Sequence, residues 1–349
     1  MTDSRAYIVI LNWNGWKDTL ECLESVFKQD YSNYFVIVLD NDSSDGSFEH
    51  IANWMDGRGA DAVQSIPVLG HLSYPGIKKP VSGLKCQSID ELPLNSADYF
   101  SMALVKTGGN LGFAGGNNVG LNWIRKHEKN ANTWVWLLNN DTVIEPDALS
   151  QMVRHLQEKQ KNGKYTCGSL VKFYQEPHII QALGGATFNS YTGVGSQTLG
   201  RFLDDKATID HESVASQMDY ITGCSWLLPL AFIREVGLME DRYFLYYEEM
   251  DWVLRSRQHG YQLTYAPQSV VYHKEGSSIG SKTMNRAPSQ LSEFYMARNK
   301  IYFIRKFYPL RLPLIFGVIF LQAMNRIRQK QFNNAAILLK VLFGKRHFK

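Results

Sequence analysis

An apolar run that ends abruptly in polar side chains is the first feature of this chain that could carry chemistry. Residues 134–138 read Trp-Val-Trp-Leu-Leu and are followed directly by Asn139, Asn140 and Asp141. Such a run predicts a strand buried on both faces, and ligands of open α/β sheets collect beyond the carboxyl ends of these strands. A carboxylate there can hold a hard divalent cation against a phosphate. The alternative is a polar turn that caps the next helix, with Pro146 in its first turn.

Two further groups could act with this junction. An aromatic-rich run, residues 243–247, precedes Glu248, Glu249 and Asp251. The aromatic side chains favour a place at the edge of a cleft, where a carboxylate can serve as a general base. At helical spacing these acids could instead pair with the following arginines on a solvated surface. His273 follows an apolar run and is either a hydrogen-bonded structural residue or a metal ligand.

The N-terminal segment predicts the elements that must position these residues. Strands are predicted at 6–11 and 35–39, and the spacing Asp18-x-x-Glu21 predicts a capping box that opens a helix between them. This order predicts a parallel sheet with right-handed crossovers. The polar run 40–46 follows the second strand directly, as expected in a nucleotide-binding architecture.

A glycine-rich run, residues 108–118, follows a predicted strand at 101–106. Its glycines predict a loop before a helical stretch that lets the backbone approach a phosphate or a sugar closely. Upstream, residues 56–100 lack clear periodicity and contain four prolines. That segment predicts a long irregular insertion rather than a second core.

Composition excludes several classes of protein. The 349 residues are 44% hydrophobic and 20% charged, which predicts a globular protein with a substantial core. The four cysteines are widely spaced without a CxxC pair, so neither a disulfide scaffold nor a zinc site is indicated, and a reducing cytosol fits best. The apolar segment 7–11 is too short for the core of a signal peptide, so export is not predicted.

The C-terminal segment differs in charge from the rest of the chain. Residues 298–349 contain twelve Lys or Arg and no Asp or Glu, and the preceding residues contain 25 basic and 33 acidic side chains. Because the segment is also strongly apolar, it predicts interfacial helices on an anionic membrane rather than a nucleic-acid partner. Its longest apolar run, 312–324, is shorter than the roughly 20 residues of a spanning helix. Helices docked on the rest of the protein, or a dimerisation surface, are the alternatives.

Taken in order, these motifs resemble the family 2 glycosyltransferases over residues 5–280, and several are similar to the rhamnosyltransferase-like subgroup. The motifs are Asn12-Trp13-Asn14, residues 40–46, residues 110–118, Leu138 to Asp141 and the acidic cluster. The resemblance implies the GT-A fold, an α/β fold with a Rossmann-like, mostly parallel central sheet and flanking helices. It also implies sugar transfer from a nucleotide donor with inversion at the anomeric centre. Residues 1–297 would form the catalytic domain, and residues 298–349 a helical C-terminal extension.

The resemblance also implies roles for particular residues. Asp40 and Asn41 should contact the base or ribose of the donor, with help from Asn12 and the glycine-rich segment. The full set expected at the nucleotide sugar is Asn12, Asn14, Asp40, Asn41, Asn110, Gly115, Asn117, Asn139 and Asn140.

The implied metal site uses one carboxylate. Asn139-Asn140-Asp141 occupies the place of the family's DxD motif, and Asn139 replaces the first acid, so Asp141 would be the main carboxylate on Mn²⁺ or Mg²⁺. Diphosphate oxygens and water can complete an octahedron. His273 matches a histidine that completes the metal site in some members, and an imidazole ligand favours manganese.

The acidic cluster matches the family's Glu-Asp-x-Asp segment, whose second acid deprotonates the acceptor hydroxyl. Glu249 holds that position and is one methylene longer than the usual Asp, so Glu248 and Asp251 are alternative bases. Inverting transfer needs a base on the acceptor side and a cation beside the leaving diphosphate.

The expected function is transfer from dTDP-rhamnose to a glycan or lipid-linked glycan in bacterial surface polysaccharide synthesis, at the cytoplasmic face of the membrane. One alternative keeps the mechanism with a UDP-hexose or UDP-N-acetylhexosamine donor. Another is a catalytically idle protein that binds a nucleotide sugar or glycan. A dinucleotide-dependent oxidoreductase is disfavoured because no GxGxxG follows the first strand.

Overall fold

The structure is a computed structural model, and it describes residues 4–58, 63, 65–274, 288–345 and 347–348. The strands are β1 Ala6–Asn12, β2 Tyr34–Asp40, β3 Gly83–Cys86, β4 Met102–Lys106, β5 Trp134–Asn139, β6 Thr142–Ile144, β7 Lys164–Phe173, β8 Ile180–Leu183, β9 Gly185–Asn189, β10 Val194–Thr198, β11 Tyr220–Ile221, β12 Ser225–Pro229 and β13 Tyr261–His273. The α-helices are α1 Trp16–Val26, α2 Ser47–Asp56, α3 Gly70–Ser73, α4 Ser96–Tyr99, α5 Gly112–His127, α6 Ala148–Gln160, α7 His211–Ser216, α8 Leu230–Val236, α9 Glu248–Arg257, α10 Gln290–Phe307, α11 Leu312–Arg328 and α12 Phe332–Leu342.

One large mixed sheet organises the described part of the chain. Its strands follow the order β3-β4-β2-β1-β5-β12-β7-β13-β6, and β8 pairs with β7. The first five strands of this order are mutually parallel, and so are β7 and β13. β12 lies antiparallel between these two parallel groups. The carboxyl ends of β2, β1 and β5 therefore meet at one edge, as the βαβ pattern predicts.

Helices cover both faces of this sheet, which explains why its central strands are apolar without alternation. Along β1, Val9 packs with α5, α8 and α9, whereas Ile8 and Ile10 pack with α1, α2 and α6. Trp226 on β12 packs edge-to-face with Trp252 of α9. The apolar side chains on both faces of the sheet are buried under these helices. The side chains that project beyond the strand ends are therefore the ones available to a ligand.

The C-terminal helices pack on the rest of the protein. α10, α11 and α12 form a third apolar cluster that includes Tyr243, Tyr247 and Met250. The predicted boundary at residue 297 falls inside α10, so the helical extension begins at Gln290 in the structure. The docked arrangement, weighed above as an alternative, is thus present, whether or not the same helices also meet a membrane.

Three local expectations differ from the structure. α1 has Gly15 at its N-cap and no side-chain cap, so the predicted capping box is wrong. Asp18 and Glu21 instead bind Lys274, which follows β13, because the paired carboxylates face that ammonium rather than the helix end. The segment predicted to be irregular contributes β3, an edge strand parallel to β4.

The third difference concerns the glycine-rich run. α5 already begins at Gly112, so most of the predicted loop is helix. Gly112 has φ +70, and a Cβ there would lie 2.3 Å from the carbonyl oxygen of Phe244. A Cβ on Gly116 would lie 2.5 Å from Leu11 Cδ1. These glycines let the helix approach its neighbours closely, which local glycine content cannot distinguish from a ligand loop.

The C-terminal helices expose much apolar surface. Within the described residues, Pro309–Arg328 is long and apolar enough to cross a membrane, and only 17% of that window is buried. The apolar run 312–324 is thus part of a helical segment of 20 residues, which is long enough to span a membrane. The sequence pattern did not predict this length.

Close packing of α5 on β1 gives a stability prediction. Gly116→Ala should lower the free energy of unfolding by about 1–3 kcal/mol, because its methyl group would overlap Leu11 in a packed core. Gly109→Ala is the matched control, since a Cβ there meets only Leu111 Cδ2 at 4.0 Å. Urea unfolding of both variants measures the difference. Equal stabilities would contradict the packing role.

Candidate active site

An amide side chain joins the strand ends at the centre of the site. Asn12 is fully buried at the end of β1, and its Nδ2 donates to Asp40 Oδ1 at 2.8 Å. Its Oδ1 accepts from Thr19 Oγ1 at 2.8 Å and from Asn140 Nδ2 at 3.4 Å. Asn14 lies on the exposed side, where its Oδ1 accepts from the amide of Ser44 at 2.7 Å. The structure thus brings together four residues expected at the donor.

Asn41 fixes the loop that precedes α5. Its Nδ2 donates to Asn110 Oδ1 at 3.1 Å, and its Oδ1 accepts from the amide of Leu111 at 3.0 Å. Asn110 Oδ1 also accepts from the amide of Gly112 at 3.1 Å. Asn41 is 2% exposed and therefore binds the loop rather than open solvent. Any contact that it makes with a donor is made alongside this structural role.

Two residues of the expected donor set lie inside α5. Gly115 is buried, and a Cβ there would lie 2.9 Å from Leu111 Cβ. Asn117 is buried and donates from Nδ2 to the carbonyl of Phe113 at 2.9 Å, one turn earlier. The structure gives both a role in the packing of the helix start, and neither projects from a loop.

Asp141 and His273 meet at the carboxyl edge of the sheet. β13 and β6 are antiparallel neighbours, which places His273 opposite Thr142 and beside Asp141. His273 Nε2 lies 3.2 Å from Asp141 Oδ1, and His273 Nδ1 lies 2.7 Å from Gln181 Oε1. Burial acts to raise the pKa of Asp141, but His273 and Lys274 hold it below its ordinary value. A helix cap is excluded for Asp141, because β6 follows it and Asp147 stands at the N-cap position of α6.

This pair fits a divalent cation in its donor set. An ionised carboxylate oxygen and an imidazole nitrogen face one another, and Gln181 orients the ring from its other nitrogen. The Gln181 Nε2 group is buried with no hydrogen-bond partner in the described residues. No group of three or more His, Cys, Asp or Glu forms a complete metal site in that part of the chain. The remaining ligands would have to come from a bound donor and water.

Asn139 ends β5 with a half-buried side chain, and its backbone amide donates to the carbonyl of Cys224 at 2.9 Å. In the sequence His273 and Lys274 are followed by Glu275, Gly276, Ser277 and Ser278, and these four residues lie outside the described part of the chain.

Glu248 and Glu249 begin α9 as a pair of acids in an apolar setting. Burial raises the pKa of Glu249 to about 7, against the effect of the Gly223 backbone amide. Burial and the nearby Glu249 charge raise the pKa of Glu248 well above its ordinary value. Glu248 is 2% exposed, whereas Glu249 is half-buried and therefore accessible. Of the two, Glu249 has the exposure and the pKa that suit a general base at neutral pH.

Asp251 is placed differently. Its Oδ1 accepts from Arg255 Nε at 2.7 Å, and its Oδ2 accepts from Tyr243 at 3.0 Å and Lys306 at 2.5 Å. The side chain is fully buried. The pairing with Arg255 agrees with the ion-pair alternative, although the pair is internal rather than solvated. Both oxygens are committed, which suits an organising residue better than a proton acceptor.

Backbone strain accompanies the two glutamates. Phe244, Tyr246 and Tyr247 have φ of +64, +70 and +78, all in the left-handed region. Non-glycine residues in such conformations cost of order 1–3 kcal/mol each and persist only when their surroundings enforce them. Two aromatic residues of this segment, Tyr243 and Tyr247, pack in the apolar cluster of α10 to α12 and are almost completely buried.

One segment joins the two acidic sites, and sequence reasoning assigned it no role. Thr222, Gly223 and Cys224 lead into β12, and a Cβ on Gly223 would lie 2.4 Å from Glu249 Oε1. Burial, together with the charges of Asp141 and Glu249, raises the pKa of the Cys224 thiol to about 12. The Cys224 carbonyl accepts from the amide of Asn139 at 2.9 Å, so this segment contacts the strand end that precedes Asp141 as well as Glu249. The glycine directly before an apolar strand was the available signal.

Comparisons with known proteins show sequence similarity to glycosyltransferases. The family model described as Glycosyl transferase family 2 matches residues 7–63. The rhamnosyltransferase WbbL of Escherichia coli K12 is 26% identical over 217 residues, which are 60% of this chain and 77% of that protein. These two findings support the resemblance to rhamnosyltransferase-like members of family 2, which is confirmed.

Solved structures are similar in fold. GalNAc-T7 with UDP, GalNAc and Mn²⁺ matches with a TM-score of 0.51 at 12% identity, over 85% of this chain and 51% of that one. The mannosyltransferase PcManGT from Pyrobaculum calidifontis, in complex with GDP-Man and Mn²⁺, matches with a TM-score of 0.49 at 12% identity, over 97% of this chain and 85% of that one. The mixed α/β architecture with a largely parallel sheet is the GT-A fold, as predicted.

The raised pKa of Glu249 predicts a pH-dependent stability. In the unfolded chain this carboxyl ionises near pH 4.3. The free energy of unfolding therefore falls as the pH rises from there to about 7. Glu249→Gln should therefore raise the free energy of unfolding by about 1–3 kcal/mol at pH 8 and change it little at pH 4.5. Urea unfolding at both pH values measures this.

Glu240→Gln is the control of opposite sign. The hydrogen bond from Arg242 lowers the pKa of Glu240 to about 2, so its ionised form stabilises the fold and the variant should lose stability at pH 8. If Glu249→Gln changed stability equally at both pH values, the shifted carboxyl would not be Glu249.

Proposed function

We propose that this chain, as a family 2 glycosyltransferase of the rhamnosyltransferase-like kind, transfers a sugar from a nucleotide donor to a glycan hydroxyl with inversion. Glu249 is the base in this proposal, and Asp141 with His273 holds a divalent cation. The proposal depends mainly on one observation, the contact of residues 223–224 with both acidic sites: a Cβ on Gly223 would lie 2.4 Å from Glu249 Oε1, and the Cys224 carbonyl accepts from the amide of Asn139, two residues before Asp141. A carboxylate for the donor phosphates and a carboxylate for the acceptor are thereby available within one site.

The acceptor side uses burial to prepare the base. Glu249 is half-buried with a pKa of about 7, so near neutral pH it is partly ionised and still basic enough to accept a proton from a hydroxyl. Gly223 leaves the space that its carboxylate occupies. Burial keeps the pKa of Glu249 raised, and the charge of Glu249 in turn raises the pKa of the buried Glu248 beside it.

The donor side uses the strand ends. In this proposal Asp40 and Asn12, at the carboxyl ends of β2 and β1, contact the base or ribose, and Asn140 is bonded to the same amide. A cation held by Asp141 and His273 would stabilise the charge that develops on the departing diphosphate. Lys274 keeps its charge through Asp18 and Glu21 and supports the ionised form of Asp141.

The donor that we propose is dTDP-rhamnose, because the curated relative at 26% identity is named a rhamnosyltransferase. A UDP-hexose or UDP-N-acetylhexosamine donor would use the same residues. GalNAc-T7, which has this fold, was solved with UDP and Mn²⁺. Direct binding measurements separate these donors.

The assignment of the base is tested by turnover. Glu249→Gln should lower the rate of nucleoside diphosphate release from the preferred donor by about 10²- to 10⁴-fold, or about 3–5 kcal/mol in barrier, because only the proton acceptor is lost. Donor binding should be retained. Glu248→Gln is the matched variant, because it changes the neighbouring buried acid. Near-normal turnover in Glu249→Gln with loss in Glu248→Gln would reassign the base.

The metal assignment is tested by calorimetry. The protein is titrated with dTDP, UDP and GDP, each with Mn²⁺, with Mg²⁺ and with EDTA. One nucleotide should bind in a metal-dependent manner, and Asp141→Ala should remove the metal dependence, because the principal carboxylate is lost. Metal-dependent binding that survives Asp141→Ala would place the cation elsewhere. Nucleotide binding without any turnover would favour an idle binding protein.

We also propose that the C-terminal helices lie on an anionic membrane surface at the cytoplasmic face, which would bring the site close to a lipid-linked acceptor in surface polysaccharide synthesis. On α11 the buried residues Ile315, Ile319 and Ala323 pack inward. The exposed apolar side chains lie on the opposite face: Leu314, Phe320, Leu321, Met324 and Ile327. Exposed basic residues flank it: Arg328, Lys330 and Lys340. Because α11 is packed against α10 and α12 along one face, it suits an interfacial position better than a spanning one.

Liposome co-sedimentation tests this surface. Replacing the exposed Leu310, Leu321 and Phe343 together by Ser should weaken binding to vesicles with anionic lipid at least about tenfold, because their apolar area no longer enters the interface. The control replaces Tyr74, Leu94 and Tyr99, which are similarly exposed on the catalytic part. Equal binding of the two triple variants would argue that the helices serve the fold alone.

A further inference from the structure

The strained segment that leads to the base is held by α10. Three of its residues, Phe244, Tyr246 and Tyr247, are in the left-handed region, and α9 begins with Glu248 directly after them. Since α9 is a rigid helix, the backbone of this segment determines where its first turn directs Glu249. Whatever enforces the left-handed conformations therefore also sets the position of the base.

Asn299 provides the most direct restraint. This residue is fully buried in the middle of α10. Its Nδ2 donates to the carbonyl oxygens of Tyr243 and Leu245 at 2.7 Å each and of Tyr246 at 3.1 Å. One amide group thus satisfies three carbonyls that a strained turn directs inward. Because the amide nitrogen carries two hydrogens, one of them is shared between two of these carbonyls.

The rest of that helix face acts on the same segment. Tyr246 donates to Ser292 at 3.1 Å, and the ring of Phe244 stacks on Tyr295 with centroids 4.8 Å apart. Lys306 binds Asp251 in α9. The contacting residues recur at helical spacing along one face: Ser292, Tyr295, Asn299, Tyr302 and Lys306.

From the other side, α5 closes on the segment. The amide of Phe113 donates to the carbonyl of Phe244 at 2.7 Å, and Gly112 leaves room for that contact. The segment therefore lies between a donor-side helix and the C-terminal extension. Its carbonyls are satisfied from both sides, which explains how three left-handed residues persist so close together.

We propose that Asn299 is a positioning residue for sugar transfer, which fixes the carboxylate of Glu249 through the segment 243–247. The inference rests on the proposed function, because it takes Glu249 as the base. It makes α10 a part of the active site rather than only a link to membrane-associated helices. Without the Asn299 amide the carbonyls of Leu245 and Tyr246 lose this donor, whereas that of Tyr243 retains Arg298 at 3.0 Å, and the segment can relax away from the left-handed region.

Relaxation of this segment should admit water to Glu249 and so shift the acid limb of the pH profile. Replacement of a residue with a purely structural role should not change that limb. The charge of Glu249 acts on four titratable groups that surround it: Glu248 beside it on α9, Tyr220 on β11, Tyr246 in the strained segment and Cys224 before β12. None of these is replaced in the variants below. A change in the acid limb of the pH profile therefore reports the environment of Glu249 itself.

The experiment compares full-length Asn299→Ala, Asn299→Gln and Arg305→Ala. Arg305 is the matched control, because it is an exposed residue of the same helix. Turnover of dTDP-rhamnose, or of the UDP-sugar that calorimetry selects, is measured against pH, and rates are divided by the fraction that binds nucleotide. We expect kcat of Asn299→Ala to fall about 10- to 100-fold with KM for the donor within about threefold. The acid limb should move to lower pH by half a unit or more.

Asn299→Gln retains the donating amide and should recover at least part of kcat, whereas Arg305→Ala should behave as the wild type. Hydrogen exchange of residues 243–249 should be faster in Asn299→Ala, and that of β1 and β2 should be unchanged. A wild-type kcat in Asn299→Ala would overturn the proposal. So would a loss of activity that is fully explained by a smaller fraction of nucleotide-binding protein, with an unshifted pH profile.

If Asn299→Ala does not fold, Tyr295→Leu tests the proposal instead. This variant removes the ring that stacks on Phe244, at the edge of the same helix face, and leaves the Asn299 amide in place. A kcat lowered about three- to tenfold with the shifted acid limb would support the proposal, and unchanged kinetics would overturn it. Glu249→Gln serves as the reference in every series. If the wild type showed no turnover, or if Glu249→Gln turned over at the wild-type rate, the proposed function itself would fail, and the positioning role would fall with it.

Discussion

The alignment of parallel strand ends is the constraint on which the whole site depends, and the Asn12 amide maintains it. This one side chain binds Asp40 at the end of β2, Thr19 in α1 and Asn140 after β5. Buried polar groups of this kind are costly unless every partner is present, so the network permits only one register of the three strands. With that register fixed, Asp141 and His273 meet, because β6 and β13 pair beyond the same edge.

The acceptor side is built on the opposite principle, since it stores unfavourable free energy. Glu248 is buried beside the half-buried Glu249, and residues before them are held in left-handed conformations. The compensation comes from outside that segment, from the apolar cluster of α10 to α12 and from the ion pairs of Asp251 with Arg255 and Lys306. Such a division is common at functional sites, where local strain is maintained by a stable scaffold.

The sequence predicted those parts of the fold that rest on local patterns. The strands around residues 6–11, 35–39 and 134–138 lie where continuous apolar runs predicted them, because only strands covered on both faces need such runs. The capping box at Asp18 failed because carboxylates at helical spacing serve equally well as partners for a distant Lys274. The glycine-rich segment was mistaken for a loop because glycine permits both close ligand approach and close helix packing.

What the sequence determined by itself is the chemical inventory and its order: the strand-end amides and acids, the glutamate pair and His273. The tertiary structure decided which of these act together. It placed Asp141 beside His273 at the end of β13, packed Glu249 against Gly223, and committed Asp251 to internal ion pairs. It also brought Asn299, which no local pattern distinguishes, onto the carbonyls before the glutamates. The physical reason is that strand pairing and helix docking join residues far apart in the chain, and those contacts leave no local periodicity to detect.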